Sequence, residues 1–437
     1  MKIHILGIAG TFMSGIAILA KQKGHDVSGS DNACYDPIKS VLEKQNIEIN
    51  LGFKNKDVIN KDLIIIGNVM SRGNPIIEYI MKNNIRYTSG PKWLSENILK
   101  SKKVIAISGT HGKTTTTSMI VHIMKANKLN PSYLIGGDPV GNMKSANLTN
   151  SDYFVIEADE YDTAFFDKQS KFVHYKPYIL MVNNIEYDHA DIFNSIDDII
   201  KSFHHLIRLV PPNGRVIINN DDENIKKLLK IGLWSKLVTV GSNKNISDYN
   251  IIKKNHYYIG HKKKKFKLPE NIMGYHNNLN ALSALAVCNQ LKIPIKKQIQ
   301  HMESFKGVKR RLELISENSE RIIYEDFAHH PTSIKLSIHS IKEKYKNKRL
   351  LTIFLPNSNS MQLGVHNKKL AASLRESNAV IIITGNKTFK SLEKNNNKIK
   401  VIESISQIGQ YFTINRKFDV MLVLSNKNTD HIKKYLK

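Results

Sequence analysis

Residues 104–121 read VIAISGTHGKTTTTSMIV, an apolar strand followed by a glycine-rich turn and the start of a helix. Where a strand leads through glycines into a helix, the first backbone amides of that helix converge and bind phosphate. Lys113 is placed to pair with the outer phosphates, and the Thr114 hydroxyl is placed to bind magnesium. A strict phosphate-loop pattern has glycine where this chain has Ile107, so the match is to a variant loop. The predicted nucleotide site consists of Gly109, Thr110, His111, Gly112, Lys113, Thr114 and Thr115.

Strands and helices alternate along the whole chain of 437 residues, in three blocks. Repeated strands, glycine turns and helices indicate parallel sheets covered by helices, so we predict an α/β protein with three domains. The first block, residues 1–99, resembles a small Rossmann-like unit. The second, residues 100–297, contains the phosphate loop and is expected to be a parallel-sheet domain of the P-loop ATPase kind. The third, residues 298–437, is expected to be a second Rossmann-like domain.

The composition argues against several classes of protein. Hydrophobic residues make up 41% of the chain, which is enough for a buried core in each domain. Cys34 and Cys288 lie far apart and show no metal-ligand spacing, which argues against a disulfide framework or a zinc site and favours the reducing cytoplasm. No apolar run approaches the roughly 18 residues needed to span a bilayer, so no membrane partner is expected.

The formal net charge of +27 leaves three interpretations open: a nucleic-acid partner, an anionic substrate, or lysines distributed over the surface. The lysines are spread along the chain, and the densest run, residues 262–265, has no recognition motif around it. We therefore expect no nucleic-acid partner, and we expect a monomer that acts on small molecules.

Carboxylates follow the apolar strand at residues 154–156. Glu157, Asp159, Glu160 and Asp162 come at its carboxyl end, which is the edge where open α/β sheets bind ligands. Mg²⁺ takes one or two protein carboxylates together with phosphate oxygens and water. We predict Glu157 as a magnesium ligand, together with Thr114, and expect the other carboxylates to position the site or to be solvated.

A second polar strand end, NNIEYDHAD, covers residues 183–191. Asp188 or His189 is placed there to reach a second metal or its water shell. A single histidine in such a position is more often structural, but two polar strand ends beside one phosphate loop favour a site. We predict His189 as a metal ligand.

The amino-terminal strand also leads into a glycine turn, GIAGTFMSG at residues 7–15. Ala9 stands where a dinucleotide fingerprint has its middle glycine, which disfavours a nicotinamide cofactor. A helix start that receives the diphosphate of a nucleotide sugar remains open, as do ordinary strand–helix turns. The candidate ligands of such a sugar nucleotide are Gly10, Thr11, Ser14, Asp31, Ser71 and Arg72.

Four motifs follow the phosphate loop in a fixed order: VIEADEYD (155–162), HNNLN (276–280), KRRLEL (309–314) and DFAHHPT (326–332). Together with GTHGKTT they resemble the Mur ligases, over about residues 1–364 of this chain. The turns at residues 7–15 and 68–75 and the segment after the carboxylates are similar to the branch that joins a tripeptide to UDP-N-acetylmuramate. The sibling branch, which adds L-alanine, is less similar.

The resemblance implies a reaction and three domains, for the UDP-sugar, for ATP, and for closure over both. ATP and Mg²⁺ would convert the sugar carboxylate to an acyl phosphate, which the peptide amine attacks. Lys113, His189 and Arg311 would be catalytic, with His189 near the reacting centre. The resemblance places the following residues at the ATP site: His276, Asn277, Asn280, Arg310, Arg311, Asp326 and His330.

The carboxy-terminal motifs depart from the family pattern. A Glu-Pro-Arg-Ser-Asn sequence reads Leu355-Pro356-Asn357-Ser358-Asn359, and the glycine-rich closing loop reads Asn426-Lys427-Asn428-Thr429-Asp430. Losing an arginine and a carboxylate changes a site that meets a charged peptide. Three hypotheses stay open: a tripeptide ligase, an L-alanine ligase, and a nucleotide-binding homologue that has lost ligase activity.

Overall fold

The protein is described by a computed structural model that covers residues 1–141, 143–319, 321–364, 366–408 and 418–436. Within these residues three sheets alternate with helices, which confirms the α/β class. The chain forms two compact units. The first contains residues 1–186, 196–267 and 281–306, and the second contains residues 187–195, 268–280 and 307–437. The three domain boundaries drawn from the sequence remain predictions.

The amino-terminal sheet is parallel, with the strand order β3-β2-β1-β4-β5. Its central strand β1 has a lysine first and four buried residues after it, as expected for a strand covered on both faces. The strands are β1 Lys2–Leu6, β2 Asp26–Asp31, β3 Glu48–Leu51, β4 Leu63–Ile66 and β5 Tyr87–Ser89; the helices are α1 Thr11–Gln22, α2 Ile38–Glu43, α3 Pro75–Lys82 and α4 Gly90–Asn97, with 3-10 turns at Asn55–Asp57 and Leu99–Ser101.

The second sheet has ten strands in the order β15-β14-β13-β12-β11-β10-β6-β9-β7-β8. Seven neighbouring strands, from β13 to β7, are parallel, and antiparallel strands extend both edges. The strands are β6 Lys103–Ser108, β7 Ser132–Leu134, β8 Ala146–Asn147, β9 Tyr153–Ala158, β10 Ile179–Val182, β11 Arg215–Asn219, β12 Lys236–Gly241, β13 Tyr249–Lys253, β14 Tyr257–His261 and β15 Lys264–Lys267.

Helices of this region cover the sheet, and α5 follows directly from the strand β6 through the phosphate loop. Because β6 pairs with β9 on one side and with β10 on the other, three carboxyl strand ends meet at this loop. That edge is where a ligand of a parallel sheet binds. The helices are α5 Lys113–Ala126, α6 Ile196–Ile207, α7 Glu223–Ile231, α8 Tyr275–Gln290 and α9 Ile295–Met302, with a 3-10 turn at Lys171–His174.

The third sheet has six strands in the order β16-β17-β21-β18-β19-β20, and β16 alone runs antiparallel to its neighbour. Two clusters of buried aliphatic and aromatic side chains pack against its faces. The elements are β16 Glu313–Glu317, β17 Ile322–Asp326, β18 Leu350–Leu355, β19 Ala379–Ile383, β20 Ile399–Ile402, β21 Val420–Ser425, α10 Pro331–Lys344, α11 Asn359–Gln362, α12 Asn367–Ser373, α13 Lys390–Asn395 and α14 Asp430–Leu436, with a 3-10 turn at Lys387–Phe389.

Across the described ranges, none of the helices is both long enough and apolar enough to cross a membrane. The basic run at residues 262–265 forms the turn of the β14–β15 hairpin and the first half of β15.

Candidate active site

The phosphate loop is held open by glycine conformations and by the strand end beside it. Gly109 has φ 129° and Gly112 has φ 82°, a region that favours glycine. A Cβ atom on Gly109 would lie 2.9 Å from the backbone oxygen of Asn184. The amide of His111 donates to Asn184 Oδ1 at 2.7 Å, and Asn184 Nδ2 donates to the His111 carbonyl at 3.1 Å. Asn184, which follows β10, therefore fixes the backbone of the loop.

Lys113 is the first residue of α5, and its ammonium group lies among carboxylates. Nζ donates to the Gly109 carbonyl at 2.7 Å and to Glu160 Oε2 at 2.9 Å, and it lies 3.6 Å from Asp159 Oδ1. Burial alone would lower the pKa of Lys113, but Glu160 and Asp159 outweigh it and raise the pKa. Lys113 is therefore a permanent cation at the start of the helix, as phosphate binding requires.

The two residues predicted to bind magnesium in this unit lie together. Thr114 Oγ1 donates to Glu157 Oε2 at 3.1 Å, and the amide of Gly136 donates to Glu157 Oε1 at 2.6 Å. A Cβ atom on Gly136 would lie 2.9 Å from Glu157 Oε2, so the carboxylate needs a glycine beside it. A hydroxyl and a carboxylate oxygen facing each other beside a phosphate loop are the hard oxygen donors that suit Mg²⁺.

The amino-terminal glycine turn brings four of the predicted sugar-nucleotide ligands together. Gly10 precedes the first residue of α1, Thr11, and Ser14 Oγ donates to the Thr11 carbonyl at 3.0 Å. Asp31, at the end of β2, accepts from the amide of Ala9 at 2.9 Å, which ties it to the turn. The geometry resembles a diphosphate-binding helix start with a carboxylate at its side.

Ser71 and Arg72 lie in the turn after β4, the strand that pairs with β1. Arg72 is exposed and forms a two-point ion pair with Glu78, at 2.9 and 3.1 Å. The same carboxylate accepts from the amide of Gly73 at 2.8 Å. Arg72 must therefore exchange a partner before it contacts a ligand.

In the second unit, two adjacent arginines have different surroundings. Arg310 Nε donates to Glu325 Oε1 at 2.9 Å, and its Nη2 donates to the carbonyls of Ser425 and Lys427. The guanidinium of Arg311 lies over the Phe327 ring, 4.6 Å from its centroid. Arg310 is thus engaged by the protein itself, although the sequence grouped it with Arg311 at the ATP site.

Asp326 supports the backbone next to Arg311, and His330 caps the helix that follows. Asp326 is buried, and it accepts from the amides of Leu312 at 2.8 Å and Ala328 at 2.7 Å. Burial raises the pKa of Asp326 despite the opposing effect of Arg311. His330 is the N-cap of α10, and its Nδ1 accepts from the amide of Thr332 at 3.3 Å.

Asp188 lies in the short part of the second unit that also contains His189. Its Oδ1 accepts from the amide of His189 at 2.8 Å. Burial opposes ionisation, but the charges of His189 and His329 outweigh it and hold the pKa of Asp188 well below its usual range. Asp188 is therefore an anion that orients the backbone at His189, and the metal-binding role of His189 remains a prediction.

Three residues that the resemblance places at the ATP site, His276, Asn277 and Asn280, lie at the amino-terminal end of α8. Asn280 Nδ2 donates to Asn277 Oδ1 at 3.3 Å, and Asn277 Nδ2 donates to the Met273 carbonyl at 3.1 Å. His276 Nδ1 lies 3.4 Å from Ser340 Oγ. The amides and the imidazole are thereby ordered by neighbours within their own unit.

The sequence did not predict that Asn184 fixes the phosphate loop or that Lys113 pairs with Glu160. The signal for Asn184 was present, since it follows a buried strand that neighbours β6. The pairing of Lys113 with Glu160 could not be predicted from the sequence, because Glu160 lies 47 positions further along the chain.

Comparison with known proteins assigns the family. Three domain models match this chain: the Mur ligase family catalytic domain over residues 2–102, the Mur ligase middle domain over 107–288, and the Mur ligase glutamate ligase domain over 310–426. A crystal structure of a murein peptide ligase from Psychrobacter arcticus superimposes with a TM-score of 0.78 at 34% identity, covering 100% of this chain and 98% of that one.

Two relatives indicate the branches of the family. The UDP-N-acetylmuramate–L-alanyl-gamma-D-glutamyl-meso-2,6-diaminoheptandioate ligase of Haemophilus influenzae is 43% identical over 388 residues, which are 87% of this chain and 85% of the relative. The UDP-N-acetylmuramate–L-alanine ligase of Clostridium acetobutylicum is 34% identical over 440 aligned positions, covering 94% of this chain and 92% of the relative. With a lysine-bearing phosphate loop and three matched domains, this chain belongs to the Mur ligase family and is an ATP-dependent ligase that forms a carbon–nitrogen bond.

Proposed function

We propose that this chain joins UDP-N-acetylmuramate to the tripeptide L-alanyl-γ-D-glutamyl-meso-diaminopimelate, in peptidoglycan recycling. The relative with 43% identity has this activity in its name. The observation that carries the proposal is the position of Lys113, whose ammonium group is held at the start of α5 beside the paired Thr114 and Glu157. A fixed cation next to hard oxygen donors is the arrangement that transfer of a phosphoryl group needs.

ATP supplies the phosphoryl group. Thr114 and Glu157 would hold Mg²⁺, which would neutralise phosphate charge. Lys113 exchanges its carboxylate partners for phosphate oxygens, while the loop amides fixed by Asn184 bind the phosphate chain. The sugar carboxylate attacks the γ-phosphorus of ATP, the bond to the β-phosphate oxygen breaks, and ADP leaves as the acyl phosphate forms. The peptide amine then attacks the acyl carbon, and phosphate leaves from the tetrahedral intermediate.

We assign the remaining predicted residues by the same reasoning. Gly10, Thr11, Ser14 and Asp31 bind the UDP-sugar, with Ser71 and Arg72 from the neighbouring turn. On the second unit, we assign Arg311 to the phosphate in preference to Arg310, because Arg310 is engaged by Glu325. The protein acts as a monomer. The residues assigned to the nucleotide from this unit are His276, Asn277, Asn280, Arg311, Asp326 and His330, and His189 is assigned to the metal.

A second candidate is the addition of L-alanine, which the 34% identical relative carries in its name. The altered residues Asn357 and Asn426–Asp430 lie where the family pattern has the arginine and the closing loop, so the choice of amine needs a direct test.

The test is phosphate release from ATP with Mg²⁺ and UDP-N-acetylmuramate, with the tripeptide or L-alanine added. We expect release with the tripeptide, and its loss in Lys113→Ala. Lys125→Ala is the control, since Lys125 lies exposed in the last turn of the same helix. Release with alanine alone would reassign the chain to the sibling activity, and ATP binding without release would indicate a homologue that has lost ligase function.

A further inference from the structure

The segment of residues 161–175 follows the carboxylates of β9 and packs against the amino-terminal sheet. Ala164 belongs to the buried cluster of that sheet, and the ring of Phe166 meets the ring of Tyr87 at 4.9 Å. Asp167 accepts from Ser89 Oγ at 3.2 Å. The segment therefore joins the carboxylate cluster of the second sheet to the first sheet, within one compact unit.

Lys171 in this segment shares a carboxylate with the phosphate-loop lysine. Its Nζ lies 3.1 Å from Asp159 Oδ2, while Lys113 Nζ lies 3.6 Å from Asp159 Oδ1. The side chain of Lys171 is 13% exposed, so its ammonium group is largely removed from water. A cation that is largely removed from water is costly unless anions compensate its charge. Here the Asp159 carboxylate pairs with both Lys171 and Lys113.

The other side of Lys171 faces the amino-terminal glycine turn. Its Nζ lies 5.6 Å from the centroid of the Phe12 ring and 5.5 Å from that of Tyr161. Phe12 is the second residue of α1 and lies between Thr11 and Ser14, two predicted ligands of the sugar nucleotide. Lys171 thus lies between the phosphate loop and the turn assigned to the UDP-sugar.

A second side chain near these carboxylates has an unused hydrogen-bonding group. Tyr175 is 1% exposed, and its hydroxyl has no hydrogen-bond partner among the described residues. Burial raises the pKa of Tyr175 well above its usual value, with Asp159 and Glu157 adding to the effect. A buried hydroxyl without a partner is costly, and water or a ligand group at this place would satisfy it.

We propose that Lys171 is a substrate-binding residue that holds the reacting carboxylate of the UDP-linked sugar acid between the glycine turn and the phosphate loop. The inference rests on the proposed function, because that reaction needs a carboxylate at this place. A buried ammonium group orients the carboxylate toward the phosphate and offsets its charge, which otherwise repels the incoming phosphoryl group. Asp159 holds Lys171 in position.

The test compares two sugar nucleotides that differ in the carboxylate. UDP-N-acetylmuramate carries it, and UDP-N-acetylglucosamine lacks it. Calorimetry would measure the affinity of both for the wild type, Lys171→Met, Lys171→Arg and the control Lys168→Met. Lys168 belongs to the same segment but is 64% exposed and pairs with Asp162.

We expect Lys171→Met to weaken UDP-N-acetylmuramate binding by about tenfold or more, as for the loss of a hydrogen bond between charged groups, and to change UDP-N-acetylglucosamine binding less than about twofold. Lys171→Arg should retain part of the preference, and Lys168→Met should retain all of it. Equal weakening of both ligands would overturn the proposal and identify Lys171 as a structural ion pair.

The same measurements distinguish a failure of the Lys171 proposal from a failure of the proposed function. A wild type that prefers the acid, with a Lys171→Met variant that keeps the preference, overturns the role of Lys171 alone. A wild type with no preference for the acid and no phosphate release overturns the proposed function.

Discussion

The two compact units each contain a cluster of buried charge, and the two clusters differ in how their charges are compensated. In the first, Lys113 contacts the Gly109 carbonyl, Glu160 and Asp159, and the side chain of Asp159 is 35% exposed. In the second, the side chain of Glu325 is 1% exposed. Its partners there are Arg310, Thr429 and Lys433.

We call the charges around Lys113 the open cluster, because a ligand can replace the carboxylates there. We call the charges around Glu325 the closed cluster, because its partners all come from the protein. Phosphate can replace the carboxylates around Lys113, because the loop amides and an accessible carboxylate lie beside it. Arg310 already donates to Glu325 and to backbone carbonyls of Ser425 and Lys427, so a ligand would have to compete with the protein. We therefore propose that similar ion pairs serve catalysis in the first unit and stability in the second.

The largest effect is expected at the open cluster. Glu157→Gln removes a negative oxygen donor from the predicted magnesium site, and phosphate release should fall by about a hundredfold, because metal neutralisation of phosphate charge contributes several kcal/mol. Higher Mg²⁺ should restore part of the rate. Glu223→Gln, at an exposed position of α7, is the control. A variant with the wild-type rate and Mg²⁺ dependence would remove Glu157 from the metal site.

A substitution in the closed cluster should lower the stability of the protein and not its catalytic rate. Arg310→Met leaves Glu325 with Lys433 and Thr429 only, and the free energy of unfolding should fall by about 2 kcal/mol, less than for a buried pair that loses all compensation. Urea denaturation measures it, with Lys309→Met as the exposed neighbour for control. An unchanged unfolding midpoint together with a raised KM for ATP would show that Arg310 is a nucleotide ligand after all.

His4, in the amino-terminal sheet, is a buried polar group that is neutral, unlike the charged groups of the two clusters. His4 contacts Ser28 Oγ at 2.9 Å and Ser30 Oγ at 2.7 Å, and burial, aided by the charge of Lys61, lowers its pKa to about 4. In the unfolded state His4 binds a proton as the pH falls below about 6.5, whereas in the folded state it does so only near pH 4. The contribution of neutral His4 to the free energy of unfolding is therefore complete above about pH 6.5 and declines toward pH 4.

Between pH 7 and pH 5 this histidine should lower the free energy of unfolding by about 2 kcal/mol. His4→Gln should reduce the pH dependence of the free energy of unfolding by that amount, as measured by urea denaturation at several pH values. Equal pH dependence in the wild type and His4→Gln would mean that His4 titrates normally.

The smallest effect is expected at the loop itself. Asn184→Ala removes two hydrogen bonds to His111, and the KM for ATP should rise by about tenfold, since each such bond contributes about 0.7 kcal/mol. Asn220→Ala, at the end of the neighbouring strand β11, is the matched control. Steady-state kinetics with equal KM in both variants would show that the glycines alone define the loop.

The phosphate loop was predictable because its strand, glycines and lysine are contiguous, and each contributes through local backbone geometry. The surroundings of Lys113 were not, since Asp159 and Glu160 come from another strand. Arg310 and Arg311 were equivalent as sequence letters, and only folding shows which of them Glu325 engages. The α/β class followed from the alternation of elements, while the ten-strand order depends on pairings between distant segments.

The contacts of Arg310 also bear on how much the closing segment can vary. Two of its hydrogen bonds end on backbone carbonyls, at Ser425 and Lys427, which exist whatever side chains these positions carry. Substitutions between residues 425 and 428 therefore leave this connection intact. The departure of Asn426-Lys427-Asn428 from the family pattern is compatible with a preserved fold, so this stretch can diverge in sequence while the ends of β17 and β21 stay joined.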